Sequence, residues 1–293
     1  MTLTHLDPEV FEKCFRIWTQ TLHTHVAGEV IPFDGKCLRR SHDGILGKDA
    51  IYMVSAWASS NHLVLGQSKV EAKTNEITAI PELLRLLDVR GCIVSIDASG
   101  TQKAIAQQIV AQGGDYVLAL KENQPHLLED VQSLFTWAEQ VHYRDIHHGY
   151  QQTVNKGHGR IEVRECWTLS EPCYLAMLAD AEDWAGLQTV VRVRAQRRQG
   201  DHTTCEERYY ISSLADEGPR TAERALGATR AHWGIENQLH WILDVAFRED
   251  DCRVRKDHGD ENLAILRHIA LNILQQDTQT LSLIHISEPT RPY

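Results

Sequence analysis

Apolar residues recur at helical spacing over residues 5–25, where Val10, Phe11, Cys14, Phe15, Trp18 and Leu22 fall on one side. Three bunched apolar runs follow at 30–33, 51–58 and 62–70, and Ser60-Asn61 predicts a tight turn that joins the last two as a hairpin. Helical periodicity returns over 76–87 through Ile77, Ile80, Leu83, Leu84 and Leu87. A buried-type strand ending at Asp97, a helix at 101–112, a strand at 116–120 and a helix at 125–140 complete an alternating half. Strands in a meander followed by alternating helices and strands predict a mixed α/β sheet flanked by helices.

Between about 146 and 215 the pattern shortens into strand-like pieces separated by polar turns. They are Ile161-Glu162-Val163-Arg164 after Gly157-His158-Gly159-Arg160, then 174–178, 189–193 and 208–212. They predict a β-rich insertion. Helical spacing resumes from Thr221 to about Val245, and a last helix over 260–275 carries Leu263, Leu266, Ile269, Ala270, Ile273 and Leu274. The expected organisation is a helical end at 1–28, a first core segment at 29–145, the insertion at 146–218, and closing helices at 219–280. Residues 281–293 read as translated sequencing-adaptor sequence and not as part of the fold.

Composition narrows the classes. The chain has 293 residues, enough for a substantial core. No apolar stretch is long enough to span a membrane, and no signal-peptide pattern opens the chain. Seven cysteines without a C-x-x-C pair argue against a disulfide framework or a cysteine zinc site and point to a reducing cytoplasm. The net charge of −10 runs against nucleic-acid binding, but binding depends on patches. Basic clusters occur at Lys36, Arg39 and Arg40, at Arg160 and Arg164, at Arg192, Arg194, Arg197 and Arg198, and at Arg253, Arg255 and Lys256. Each taken singly also reads as a solvated charged face.

Three acids stand where an acid is costly unless a cation meets it. Asp34 closes the run Val30-Ile31-Pro32-Phe33, Asp97 closes Cys92-Ile93-Val94-Ser95-Ile96, and Glu236 sits mid-helix in His232-Trp233-Gly234-Ile235-Glu236-Asn237. Acids on two neighbouring strands with a third on a covering helix match the plan of a ribonuclease-H-like nuclease, in which paired divalent ions cut phosphodiesters. A rival reading rests on His232, Glu236, His240 and Asp244, spaced every four residues as a zinc-binding stripe of a hydrolase. A plain polar face opposite Leu239, Ile242, Leu243 and Ala246 accounts for the same spacing. Trp233 and Trp241 are expected in the core beside this helix. His158, Arg160, Glu162 and Arg164 alternate along one strand, a face for gripping phosphate or a charged guard on an exposed edge. Lys121 and Asn123, just past a strand end, are further candidates for DNA contact.

The chain also resembles the H-repeat-associated proteins, insertion-sequence transposases of the DDE superfamily. The likeness runs through Phe33-Asp34-Gly35-Lys36, Met53-Val54-Ser55-Ala56-Trp57 and Lys73-Thr74-Asn75-Glu76-Ile77. It continues through Asp115-Tyr116-Val117-Leu118-Ala119-Leu120-Lys121, His158-Gly159-Arg160, Arg208-Tyr209-Tyr210-Ile211-Ser212-Ser213, His232-Trp233-Gly234-Ile235-Glu236-Asn237 and Leu239-His240-Trp241. It covers residues 6–278. It implies a ribonuclease-H-like fold and metal-dependent DNA strand transfer, with Asp34, Asp97 and Glu236 as the catalytic and metal-binding triad. Two Mg2+ ions are implied, with Mn2+ as a substitute. The implied partners are double-stranded DNA, as transposon ends and target, and further copies of the chain assembled on it. Lys36, Arg39, Arg40, Lys121, Asn123, His158, Arg160, Arg164, Arg230, His232 and His240 are the expected DNA contacts. Where related transposases carry Tyr and Arg before the glutamate, this chain has Thr229 and His232, with Arg230 as the stand-in. The family's amino-terminal domain and basic carboxy-terminal extension are not found, so a truncated copy or an inactive DNA-binding remnant is the expected alternative.

Overall fold

The computed structural model describes residues 3–24, 26–42, 50–70, 76–157 and 159–276. The segment Lys73-Thr74-Asn75, the candidate contact His158 and the tail 281–293 lie outside the described residues. In chain order the main elements are α1 (Pro8–Leu22), β1 (Val30–Leu38), β2 (Ile51–Ala58), β3 (Leu63–Val70), α2 (Glu76–Leu86), β4 (Ile93–Ile96), α3 (Lys103–Ala111), β5 (Asp115–Leu120) and α4 (Pro125–Gln140). Then come β6 (His148–Gly157), β7 (Arg160–Leu169), the short α5 (Pro172–Leu175), β8 (Thr189–Gln199), β9 (His202–Ser212) and α6 (Pro219–Gly234). A single π-helical turn (Ile235–His240), α7 (Trp241–Val245) and α8 (Gly259–Gln276) end the described chain. The mixed α/β class expected from the sequence is the class observed.

Two compact units divide the described residues, one drawn from positions 3–88 and 231–276 and the other from 89–230. In the first, β1, β2 and β3 form an antiparallel meander, with Asp34 opposite Ser55 and Ser55 opposite Gln67. The hairpin predicted at Ser60-Asn61 is present, and His62 takes a positive φ of 53° to close it. Glu29, just before β1, ties the layer together by accepting from the Ser60 backbone N–H and hydroxyl and standing 2.8 Å from the His23 ring. Burial alone would raise the Glu29 pKa, but the His23 and Ser60 contacts outweigh it and hold the carboxyl below its ordinary value.

Helix α1 is shorter than the 5–25 expected, and Asp7 sets its start. Asp7 accepts from the N–H groups of Glu9 and Val10, and Pro8 occupies the first turn, where no intrahelical donor is needed. Phe15 from α1 joins Trp57, Val64, Ile235, Leu239, Ile242, Leu243, Ile265 and Leu271 in one buried cluster. Each such side chain contributes about 1.5–3 kcal/mol when fully buried, more than an exposed ion pair supplies. Trp241 packs against this cluster, as expected, whereas Trp233 is 42% exposed. Gly234 and the π turn follow it directly, so uniform α-helical spacing does not describe this stretch.

In the second unit β4 and β5 run parallel, joined by α3, and the sheet continues antiparallel through β9, β8, β7 and β6. The strands from 148 to 212 are ten or eleven residues long rather than short. Residues 174–178, expected as a strand, fall in and after the helical turn α5. Pro172 at its first position fixes a helical φ, and Leu175 and Leu178, three apart, are both buried. The arginine run on β8 also divides. Arg192 is buried, donating to Glu139 Oε1 at 2.7 Å and to the Tyr143 hydroxyl at 2.9 Å, between the rings of Phe135 and Trp167. Arg194 is bound to Glu207 at 2.6 Å, while Arg197 and Arg198 are exposed.

Candidate active site

Asp34 lies on β1, and the strand's alternation puts it on the same sheet face as Lys36. Its Oδ1 accepts the Gly35 N–H at 2.9 Å, and its Oδ2 stands 3.5 Å from Nδ1 of His240, the outer limit of a hydrogen bond. The intervening Gly35 faces the other way. A Cβ there would run into the Glu76 carboxylate and come within 2.8 Å of the Tyr52 ring. Glycine at this position is therefore a packing requirement of the strand that carries Asp34.

Lys36, expected as a DNA contact, is turned inward. Its Nζ lies 2.5 Å from Asp244 Oδ1 and 2.7 Å from Glu249 Oε2, and its side chain is 11% exposed. Arg267 reaches the other Glu249 oxygen at 3.5 Å. Asp244 follows α-helical offset from His240 in sequence, yet the two make different partners, one to Lys36 and the other toward Asp34. His240 is also largely enclosed, at 13% side-chain exposure. Burial, with Lys36, His268 and His232 nearby, lowers its pKa to about 3, so it meets Asp34 as a neutral ring rather than as a cation.

Glu236 is exposed on the π turn, one residue after buried Ile235. The wider turn breaks the every-four-residue geometry on which the zinc stripe depends. Among the described residues no group of three or more His, Cys, Asp or Glu side chains is placed to hold a metal ion. That holds for His232, Glu236, His240 and Asp244, and equally for Asp34, Asp97 and Glu236.

In the second unit Asp97 follows the last residue of β4, as the sequence predicted. Its Oδ1 takes the Ser99 N–H at 3.0 Å, the Ser99 hydroxyl at 2.6 Å and the Gly100 N–H at 3.4 Å. The loop is anchored from both sides. Thr101 donates to Ala119 O at 2.6 Å, Asn123 Nδ2 donates to Ala98 O at 2.5 Å, and Gln124 donates to Thr101 O at 3.1 Å. Asn123, expected to touch DNA, is exposed and also braces the loop behind Asp97. No lysine or arginine is ion-paired with Asp97 among the described residues. A carboxylate with its donors on one oxygen and no cationic side chain upon it suits a hard divalent cation such as Mg2+.

The other expected contacts are spread widely. Arg39 and Arg40 are exposed and lie 3.3 Å from Asp250 and Asp251. Lys121 and Arg230 are exposed, and His232 is half-buried. Arg160 is half-buried at the start of β7, and Arg164 donates to Glu162 at 2.9 Å on the same strand face. Sequence reading missed Gln67, Glu249 and His268, which line one small cavity with Lys36 and His240. No motif marks them. They come from β3, a 3-10 turn and α8, and only folding gathers them.

The family model described as Transposase DDE domain matches residues 27–273, a span containing Asp34, Asp97 and Glu236, and the chain belongs to that family. It is 40% identical over 279 residues to "H repeat-associated putative transposase YhhI" of Escherichia coli strain K12, covering 93% of this chain and 71% of that protein. "Putative protein YbfL" of the same strain is equally similar, at 40% over 279 residues with the same coverage. Among solved structures, the chain overlaps the piggyBac transposase synaptic complex with hairpin DNA at a TM-score of 0.39 and 10% identity. That overlap covers 97% of this chain and 60% of the other.

Proposed function

We propose that this chain is a DNA-cutting and strand-transferring transposase whose catalytic carboxylates are Asp34, Asp97 and Glu236. The observation that carries the reading is the family match across all three acids, with Asp34 in the middle of β1, Asp97 just past the end of β4 and Glu236 on a π turn. A meander β1–β2–β3 followed by β4–α3–β5 is also the element order of a ribonuclease-H-like core. The layout read from the sequence, with a β-rich insertion at 146–218 between two parts of that core, accompanies the proposal.

The three carboxylates would hold two Mg2+ ions, or Mn2+ in their place, which when bound supply Lewis acidity toward phosphate oxygen and lower the pKa of water. The residues of the chain do the rest. Ser99 and Gly100 fix the Oδ1 lone pairs of Asp97 and so turn the remaining oxygen to the ligand side. Gly35 N–H does the same for Asp34. In cleavage, water oxygen bonds to phosphorus as the bond to the 3′ oxygen breaks; in transfer, the freed 3′-hydroxyl takes the place of water at target DNA. Arg39, Arg40, Lys121, Arg160, Arg164, Arg230 and His232 are the proposed phosphate contacts, and several copies of the chain would assemble on the DNA ends.

The test is nicking of labelled element-end DNA with Mg2+ or Mn2+. Asp97→Asn retains an acceptor for Ser99 but loses the charge, and should abolish cutting while end binding persists. Undiminished cutting by this variant eliminates the triad. End binding without cutting by the unaltered chain would make it a DNA-binding remnant.

A further inference from the structure

Among the polar atoms of the first unit buried without a hydrogen-bond partner are Nε2 of His240, Oε1 of Gln67 and Nδ1 of His268. A buried polar atom left so is destabilising unless a water meets it. All three residues line the same cavity of about 10 Å³, whose walls are otherwise largely apolar, Leu38, Met53 and Leu243 among them. That volume fits one water molecule, and a buried water needs two to four polar partners. The donors and acceptors match. A water here donates one hydrogen to His240 Nε2 and the other to Gln67 Oε1, and accepts from His268 Nδ1–H.

The Asp34 carboxylate selects the tautomer. Its Oδ2 can only accept, so the ring nitrogen that faces it, Nδ1, carries the single hydrogen of His240 and Nε2 is left to accept from the water. We infer that His240 is a positioning residue for Asp34, held by a buried water shared with Gln67 and His268 so that its Nδ1–H orients the Asp34 carboxylate toward a divalent cation. The inference deepens the carboxylate reading above and rests on it. The geometry favours a role behind the acid over zinc ligation or DNA contact, because both ring nitrogens then point at groups inside the unit. The contact at 3.5 Å is loose and is expected to tighten when the carboxylate is loaded.

Two measurements test it on the whole chain. With ring-15N-labelled histidine and no metal present, the His240 signals, assigned by their loss in His240→Asn, should be those of a neutral ring with hydrogen on Nδ1. A ring carrying its hydrogen on Nε2, or a protonated ring, overturns the inference. The second measurement is Mn2+ binding by the unaltered chain, Asp34→Asn, His240→Asn and His240→Gln. Asn keeps an N–H near the place of Nδ1, whereas Gln carries its own near Nε2. Groups that orient a metal ligand typically alter affinity 10–100-fold. His240→Asn should therefore bind within about threefold of the unaltered chain and His240→Gln about tenfold more weakly. Equal affinity for the two, or the reverse order, overturns the inference while loss of binding in Asp34→Asn leaves the triad standing. Unchanged binding in Asp34→Asn instead removes the triad reading itself, and the positioning role with it.

Discussion

The Nζ of Lys36 and Oε2 of Glu249 are 2.7 Å apart, though 213 residues separate them in the chain. Glu249 is 2% exposed in its side chain and also meets Arg267, so one enclosed carboxylate answers two cations. Deleting Glu249 leaves the largely enclosed Arg267 without this carboxylate and Lys36 with Asp244 alone. Glu249→Ala should destabilise the protein by roughly 3–5 kcal/mol in denaturant unfolding. Arg39→Ala, at an exposed pair with Asp250, should change stability by less than about 1 kcal/mol. Comparable effects of the two substitutions would refute an enclosed network.

His268 makes stability depend on pH. Burial, then the charges of Lys36 and Arg267, lower its pKa from 6.5 to about 3. The unfolded chain therefore takes up a proton below about pH 6.5 that the folded chain refuses until about pH 3. Stability from this group is full above pH 6.5 and falls as the pH drops through that window. The slope approaches about 1.4 kcal/mol per pH unit. Urea unfolding at pH 7 and pH 5.5 should show the unaltered chain losing about 1 kcal/mol more than His268→Gln. Parallel losses would show that His268 is protonated in the folded state.

Arg192 behaves as a core residue with a charge. It is sandwiched 4.4 Å from the Trp167 ring centroid and 5.2 Å from that of Phe135, with Glu139 and Tyr143 on its edge. A lysine cannot reproduce a planar group stacked between rings while it donates sideways. Arg192→Lys should cost about 2–4 kcal/mol. Arg198→Lys, at an exposed site of the same strand, should be close to neutral. Thermal melting of both variants decides it.

Gly149 on β6 has no room for a side chain. A Cβ there would meet the Gly218 carbonyl and come within 2.7 Å of Thr168 Oγ1. Gly149→Ala should destabilise by about 1–3 kcal/mol through overpacking. Gly157→Ala, on the same strand with open space around it, should cost less than about 1 kcal/mol. Chemical unfolding of the pair reads the difference directly, and equal costs would remove the packing explanation.

What the sequence settled by itself is what local physics settles. Helix 125–140 was legible to the residue, because Pro125 starts it and a 3.6-residue apolar period sustains it. The hairpin at Ser60-Asn61 and the acid just after the 93–96 strand were legible for similar reasons of turn chemistry and apolar run length. Family membership was carried by contiguous motifs such as Phe33-Asp34-Gly35-Lys36. The tertiary structure alone decided which charges face inward. Lys36 and Arg192 look like surface cations in sequence, but their partners lie 208 and 53 residues away, and no local window contains both members. The π turn at 235–240 was equally hidden, since its wider hydrogen-bond spacing leaves no mark on the apolar pattern around Ile235 and Leu239. Nor did any motif announce the small cavity shared by Gln67, His240 and His268, because a strand and two helical segments supply one residue each and only chain packing brings them together.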